Sequence, residues 1–231
     1  MALAALVGAL AIMSLGAASA QAAIVKLTGS STVTPSEQAK RFLANNGVSV
    51  TPTGQATFAD GVFTFPIAAG FGDTATYDGL LAHAGGLRFS KGYESAVVRR
   101  LVAVRAGNTA VLLAQLPGQP GNCGKVRHAL RRYAANHPGV THQVWHLAQQ
   151  YPNAARHVVR ALKRYCGQGR VLVLARLTNL GKSVENGTAT LSGDLRLSRQ
   201  AARIVNRVAG SDVVSAGALL GAGVSTVTPA P

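Results

Sequence analysis

The stretch Val62-Phe63-Thr64-Phe65-Pro66-Ile67 carries a large apolar side chain at every second position, and the small residues Ala68-Ala69-Gly70 follow it. Alternation with a period of two is typical of a β-strand that buries one face. Comparable β-prone runs, broken by glycine, occupy residues 48–51, 97–104, 111–116, 171–177, 189–197 and 224–227. The sequence therefore predicts a mainly antiparallel, sandwich-like β-sheet domain.

Two helices are predicted beside this sheet, each from a capping pattern. Thr34-Pro35-Ser36-Glu37 forms a capping box with proline at the first helical position, and Gly47 ends the helix. Ser198 caps the second helix, which ends at Gly210. The apolar positions expected to face the sheet are Ala39, Phe42 and Leu43 in the first helix, and Ala202, Ile204, Val205 and Val208 in the second. The fold class that follows is α+β.

The chain begins with a largely apolar run that ends in Ala20-Gln21-Ala22. Small residues at these positions fit the cleavage rule of a secretory signal peptide, so we predict that residues 1–22 are removed on export. The alternative is an uncleaved membrane anchor, because a run of about 20 apolar residues can span a bilayer. With cleavage, the sequence predicts a secreted, extracellular or cell-wall-associated protein that has no membrane span.

Basic residues outnumber acidic ones by 23 to 8, which gives a formal net charge of +15. Such a charge favours polyanions such as anionic wall polymers, and it equally suits a small anionic ligand. We do not expect specific recognition of nucleic acid. The acidic residues do not cluster beside a histidine, and the sequence lacks the common hydrolase, metalloprotease, phosphate-loop and Cys-x-x-Cys motifs. The prediction is a protein that is not an enzyme.

The period of the apolar pattern changes to that of a helix in the middle of the chain. Turn-forming residues, mostly glycine and proline, flank this region on both sides. Three short helices are predicted within residues 119–167, which we call the helical insert. Cys123 and Cys166 lie near its ends, and two cysteines in an exported chain favour a disulfide, which would close the insert at its base. The β-rich domain is then discontinuous, at residues 23–118 and 168–231.

Several side chains of the helical insert suit an iron porphyrin. Tyr133 and His137 stand four residues apart, so both project from one face of a helix. A phenolate is a hard anionic donor for ferric iron. Neighbouring cations can pair with the two propionates, and the candidates are Arg127, Arg131 and Arg132. The alternative is a core tyrosine followed by a histidine that ends its helix before Pro138.

Three further histidines lie in the insert. His142 and His146 are spaced to chelate a divalent metal, although they supply only two ligands. A solvated helix face is the alternative for this pair. His157 lies on the predicted third helix, from which it can complete an iron site. We predict no metal other than haem iron.

The insert resembles the haem-binding domain of mycobacterial haemophores. The residues that carry this resemblance are Cys123, the run Tyr133-Ala-Ala-Asn-His137-Pro138-Gly-Val140, and Cys166. That family is a small secreted helical domain with a cysteine near each end. Its motif tyrosine and histidine are associated with haem, and a later histidine joins them. The resemblance implies that Tyr133, His137 and His157 contact haem.

The surrounding chain resembles a second family, the HtaA-like surface domain of actinobacteria. The resemblance rests on Phe-Pro-Ile-Ala-Ala-Gly at 65–70, on Gly-Leu-Leu-Ala-His-Ala-Gly-Gly-Leu-Arg-Phe at 79–89, and on the ending at 195–223. That family includes haem-binding cell-surface proteins built from antiparallel sheets and a few helices. His83 matches a family histidine that supports an axial tyrosine of the first strand, whereas residues 23–33 contain no tyrosine. His83 is therefore either part of a second site or a structural turn residue.

The two resemblances imply the same ligand. We expect a secreted or cell-surface protein that binds haem and captures or relays it, with other surface haem-transport proteins as partners. The alternative is an adhesive module that holds anionic polymers through the cationic insert, with Tyr133 as a plain core residue. Retention that is lost steeply with salt and does not depend on Tyr133 would identify the alternative.

Overall fold

The computed structural model describes residues 24–74, 76–121, 124, 169–212 and 214–230. The predicted signal peptide and most of the helical insert lie outside these residues. The site residues predicted in the insert also lie outside them: Tyr133, His137, His157, Arg127, Arg131, Arg132, His142, His146, Cys123 and Cys166. Among the residues that sequence analysis selected for a ligand, His83 is the one whose surroundings the structure describes.

Strands dominate the described residues. In chain order they are β1 (Ile24–Pro35), β2 (Ser49–Thr53), β3 (Thr57–Ala59), β4 (Val62–Asp73), β5 (Gly79–His83), β6 (Gly86–Lys91), β7 (Glu94–Ala106), β8 (Thr109–Leu116), β9 (Arg170–Glu185), β10 (Thr188–Leu197) and β11 (Leu219–Pro229). The helices are α1 (Glu37–Asn45), after β1, and α2 (Arg199–Ala209), after β10. No helix in the described part of the chain is long and apolar enough to cross a bilayer. The prediction of a mainly β structure with two helices is confirmed.

The strands form one antiparallel sheet that closes on itself. Within the described residues, eight strands complete a ring in the order β7-β5-β4-β1-β11-β10-β9-β8, and β8 pairs again with β7. Beyond the ring, β6 and β2 continue the sheet from β7, and β3 pairs with β4. The sandwich-like prediction was wrong, because alternation reports only that one face is buried. It cannot distinguish a face that covers a second sheet from the inner face of a closed one.

The main core lies inside the ring and beneath α2. Phe63 and Phe65 of β4 are 7% and 3% exposed, as the alternation of their strand predicted. They belong to a cluster with Leu101 of β7 and Leu112 of β8, and Ala202 of α2 packs into the same cluster. Burying such side chains is worth roughly 1.5–3 kcal/mol each, so this cluster fixes the inner face of the sheet.

Helix α2 forms as predicted. The Ser198 hydroxyl accepts a hydrogen bond from the Ala201 amide at 3.1 Å and donates one to the Val173 carbonyl of β9. Gly210 ends the helix in the left-handed conformation, with φ of 74°. Val205 and Val208 are buried against the sheet. The cap thus also ties the start of α2 to a ring strand.

Helix α1 begins later than predicted. Thr34 and Pro35 still pair with β11, and the cap is Ser36, whose hydroxyl accepts from the Ala39 amide at 3.1 Å. The strand takes precedence because the Ser36 amide continues its ladder with a 2.8 Å bond to the Leu220 carbonyl. The predicted stripe of Ala39, Phe42 and Leu43 is only half-buried.

The chain leaves β8 and enters β9 at one point of the sheet. Leu116, at the end of β8, is the register partner of Arg170, at the start of β9. Residues 117–169 therefore depart from and return to neighbouring positions. The limits of the two predicted domains remain a prediction.

Candidate functional site

A pocket occupies the interior of the ring, and all eight ring strands contribute to its lining. The centre of a water molecule can occupy about 90 Å³ of it. Most lining side chains are apolar, among them Leu27, Phe65, Leu81 and Leu101. Pockets with an apolar lining and a few polar groups are typical sites for small molecules.

His83 is the imidazole of this pocket. It is the last residue of β5 and is 7% exposed. The chain can turn directly after it because Gly85 has a φ of 93°, and a Cβ there would come within 2.4 Å of the Thr53 carbonyl oxygen. The Phe65 ring meets the imidazole edge-on, with ring centroids 6.3 Å apart. The His83-Ala84-Gly85 run thus fixes the imidazole in the inner wall.

Both ring nitrogens of His83 are hydrogen-bonded. Nδ1 lies 3.2 Å from the Leu101 carbonyl oxygen, which can only accept, so Nδ1 carries the proton. Nε2 lies 2.7 Å from Ser31 Oγ. In the neutral imidazole Nε2 is then an acceptor, and the Ser31 hydroxyl donates to it.

A second hydroxyl extends this chain of hydrogen bonds. Ser31 of β1 and Ser225 of β11 are register partners, and their Oγ atoms are 2.7 Å apart. Because Ser31 gives its proton to His83, Ser225 donates to Ser31. The polar group of the pocket is therefore an ordered chain that runs from Ser225 through Ser31 and His83 to the Leu101 carbonyl.

Burial sets the charge of the imidazole. Loss of water contact lowers the pKa of His83 from its ordinary value of 6.5, and the hydrogen bond to the Leu101 carbonyl opposes this only in part. The side chain is consequently neutral near pH 7. A neutral imidazole whose Nδ1–H is bound to a carbonyl can act as a metal donor through Nε2.

Tyr77 also lines the pocket, and sequence analysis did not select it. Its ring is 6% exposed, and the Lys182 ammonium lies 5.7 Å from its centroid. Its φ of 55° is unusual for a bulky residue, and its amide donates to the Asp73 carbonyl at 2.8 Å. Strained conformations of this kind often occur at binding sites.

Ser31 and Ser225 were missed because they are 194 residues apart and meet only through strand pairing. The available signal was local: serine at an inward position between Leu27 and Val33 on β1 breaks an otherwise apolar inner face. Groups of three or more His, Cys, Asp or Glu side chains able to hold a metal ion are absent from the described residues.

The chain was compared with known proteins at the level of sequence and of structure. No protein-family model matches it, and no curated protein does. The C-terminal domain of HtaA from Corynebacterium glutamicum is similar in structure, with a TM-score of 0.52, 14% identity, and coverage of 88% of this chain and 99% of that domain. This chain has the fold of an HtaA domain.

The N-terminal domain of HtaA from the same organism is similar to the same degree, with a TM-score of 0.51, 14% identity, and coverage of 88% of this chain and 98% of that one. The heme binding protein HtaB of that organism gives a TM-score of 0.47 at 12% identity, which adds nothing to the fold assignment. The predicted HtaA-like domain is thus confirmed in its fold.

Proposed function

We propose that this protein binds haem without catalysing a reaction, and that the pocket inside the ring is a haem site in which His83 is the iron donor. One observation carries the proposal. A buried, neutral imidazole is anchored through Nδ1 to the Leu101 carbonyl and directs Nε2 towards Ser31 in an apolar pocket. The HtaA fold, and the resemblance of residues 79–89 to that family, support the choice of haem.

The donor set fits this ligand. When bound, haem supplies an iron that accepts an imidazole nitrogen as axial ligand. Metal-binding histidines usually donate their other N–H to a carbonyl or carboxylate, and His83 already does so. Apolar side chains such as Leu81 and Leu101 suit the porphyrin face. The hydroxyls of Ser31 and Ser225 are uncharged, so they bring no charge against that face.

The Ser31 hydroxyl has to release Nε2 for this role. Its proton has a second acceptor in Ser225 Oγ, also 2.7 Å away. When Ser31 donates to Ser225 instead, the existing bond between the two hydroxyls reverses its direction, and the hydrogen bond to His83 is lost. Freeing Nε2 therefore costs about one hydrogen bond, roughly 0.5–1.5 kcal/mol.

The insert supplies a second haem site in this proposal. Its predicted donors are Tyr133, His137 and His157, with Arg127, Arg131 and Arg132 for the propionates, and the support for it is the haemophore resemblance. His142 and His146 stay a candidate metal pair. A stoichiometry of two haems per chain would support both sites, and a stoichiometry of one requires variants to decide which site is filled.

The test is an absorbance titration of the full chain with hemin. We expect a shifted Soret band in the wild type and a weaker band in His83→Ala. Tyr77→Phe removes the phenol of the pocket, so an unchanged band in this variant would show that Tyr77 is not the iron donor. A double variant, Tyr133→Phe with His137→Ala, isolates the contribution of the insert. Absence of a band at micromolar hemin in the wild type would refute haem binding.

We further propose that the protein is secreted or held at the cell wall and passes haem on to a surface haem-transport protein. The support is the apparent leader at residues 1–22. Haem transfer to an apo acceptor such as apomyoglobin, followed by absorbance, measures release. Transfer no faster than spontaneous loss from an unrelated haem protein would argue for storage.

A second function is favoured by the net charge of +15. Binding of anionic wall polymers predicts retention on isolated cell wall that weakens steeply with salt. His83→Ala separates the two functions, because it removes a buried neutral group and leaves the net charge unchanged. It should lower the affinity for hemin and leave the retention on cell wall as in the wild type. Retention that persists at high salt would contradict an electrostatic mode.

A further inference from the structure

Arg105, at the opposite end of the pocket from His83, has an unsatisfied hydrogen-bond donor. It lies on β7 and lines the pocket, and its Nε is buried without a hydrogen-bond partner in the described part of the chain. Its closest carboxylate atom, Asp78 Oδ1, is 3.7 Å away, which is beyond hydrogen-bond distance. A buried N–H without an acceptor is unfavourable and uncommon in folded proteins, which suggests that this donor has a partner when a ligand is bound.

The register of β5 and β7 places this donor relative to His83. Gly79 at the start of β5 pairs with Arg105, and His83 is the last residue of the same strand. Four residues of strand separate their backbones by about 13 Å, and the long arginine side chain can shorten that distance. The pocket therefore has two polar ends with an apolar wall between them.

Charged side chains of both signs lie at the Arg105 end of the pocket. The Lys182 ammonium lies over the ring of Tyr77, two residues before Gly79. Asp78 and the buried Asp73 carry the opposing charges there; the Asp78 side chain is 11% exposed, and that of Arg105 is 20% exposed. The ion pair holds the guanidinium in place but leaves Nε without an acceptor.

We propose that Arg105 binds a carboxylate of the pocket ligand through its unsatisfied Nε–H. The ligand class is a largely apolar molecule that carries a carboxylate at one end and contacts His83 with its other part. For haem, that carboxylate is a propionate, so the identity of the ligand rests on the proposed function. The carboxylate contact itself does not need iron.

The experiment compares two iron-free, fluorescent ligands on the full chain: protoporphyrin with free carboxylates, and its dimethyl ester. We expect the wild type to bind the free acid about tenfold more tightly than the ester, since charge-assisted hydrogen bonds are worth roughly 1.5–3 kcal/mol. Arg105→Gln should reduce this preference to about twofold or less. Equal affinity of the wild type for acid and ester would overturn the proposal.

Two further variants sharpen the result. Arg176→Gln removes the same charge from an exposed position on β9 and should keep the preference for the free acid. Arg105→Lys keeps the charge but loses the Nε–H, and it should give an intermediate preference. If Arg105→Gln keeps the full preference, or Arg176→Gln loses it, the carboxylate is not bound by Arg105.

The two proposals fail in different ways. If His83 does not donate to iron, His83→Ala changes the affinity for neither hemin nor iron-free protoporphyrin, while the preference for acid over ester remains. If Arg105 does not bind a carboxylate, Arg105→Gln leaves that preference unchanged while the iron-dependent band remains. If neither porphyrin binds, both proposals are wrong.

Discussion

The imidazole of His83 is held on both sides, by the Leu101 carbonyl at Nδ1 and by the Ser31 hydroxyl at Nε2. These two contacts fix its tautomer, and burial keeps it neutral. The sequence pointed to His83 through the run at 79–89, but it did not point to Ser31, Ser225, Tyr77 or Arg105. Contacts between residues that are far apart depend on strand register, and local alternation does not determine register.

Folding stability should fall in mild acid because of His83. Its pKa is lowered in the folded state, so the unfolded chain binds more protons below the ordinary value of 6.5. Stability is therefore complete above that pH and is lost as the pH falls from there towards the folded-state pKa. Urea unfolding at about pH 7.5 and about pH 5.5 measures the loss.

His83→Asn is the control for this pH dependence, because an amide does not titrate while its N–H can still reach a carbonyl. The loss of stability between the two pH values should be smaller in this variant. Equal losses in wild type and variant would show that other groups cause the decline.

Ser31→Ala should increase hemin affinity. In the wild type the Ser31 hydroxyl occupies Nε2 of His83 at 2.7 Å, and iron has to displace it. Removal of a typical hydrogen bond corresponds to an increase of about two- to tenfold. Competition titrations with an apo haem protein measure the change.

Ser49→Ala is the matched control for Ser31→Ala. It removes a Ser–Ser contact of 2.8 Å, to Ser90, on the exposed β2–β6 pair. Its hemin affinity should equal that of the wild type. A loss of affinity in Ser31→Ala would mean that Ser31 supports the bound ligand instead of competing with it.

At the scale of elements, capping chemistry was the most reliable guide. Ser198 and Gly210 bound α2 as expected, because β10 ends at Leu197, directly before the cap. At α1 the same chemistry misplaced the start by two residues, because β1 extends through Pro35 by pairing with β11. Strand runs were recognised, yet their lengths were underestimated. The run predicted at 171–177, for example, belongs to β9, which continues to Glu185.

Ser198→Ala should destabilise the fold by about 1–2 kcal/mol. The substitution removes the cap of α2 and also the hydrogen bond from Ser198 to the Val173 carbonyl of β9. Urea unfolding gives the difference. Ser211→Ala, at an exposed position after α2, should leave the midpoint unchanged, and equal midpoints for both variants would contradict the role of the cap.

In the molecule as a whole, closure of the sheet forms the pocket, because all eight ring strands line it. The first and last strands pair with each other from Leu27↔Pro229 to Pro35↔Gly221, so the two ends of the described chain complete the ring. Sequence patterns identified most strands but not their partners. A contact between strands about 190 residues apart leaves no local trace in composition or period.

The ring should fold without the residues between β8 and β9. Leu116 and Arg170 are antiparallel partners, so a short turn of about two residues can join the strands in place of 117–169. We expect a β-type circular dichroism spectrum and one cooperative urea transition. A non-cooperative transition would show that the replaced residues are part of the same folding unit.

The most direct test of the account is a hemin titration of the full chain in which the predicted insert donors are removed by Tyr133→Phe, His137→Ala and His157→Ala. With His83 intact, we predict a shifted Soret band that saturates at one haem per chain. Adding His83→Ala should abolish that band. No band in the triple variant, or an identical band after loss of His83, would contradict the claim that haem binds to His83 inside the ring.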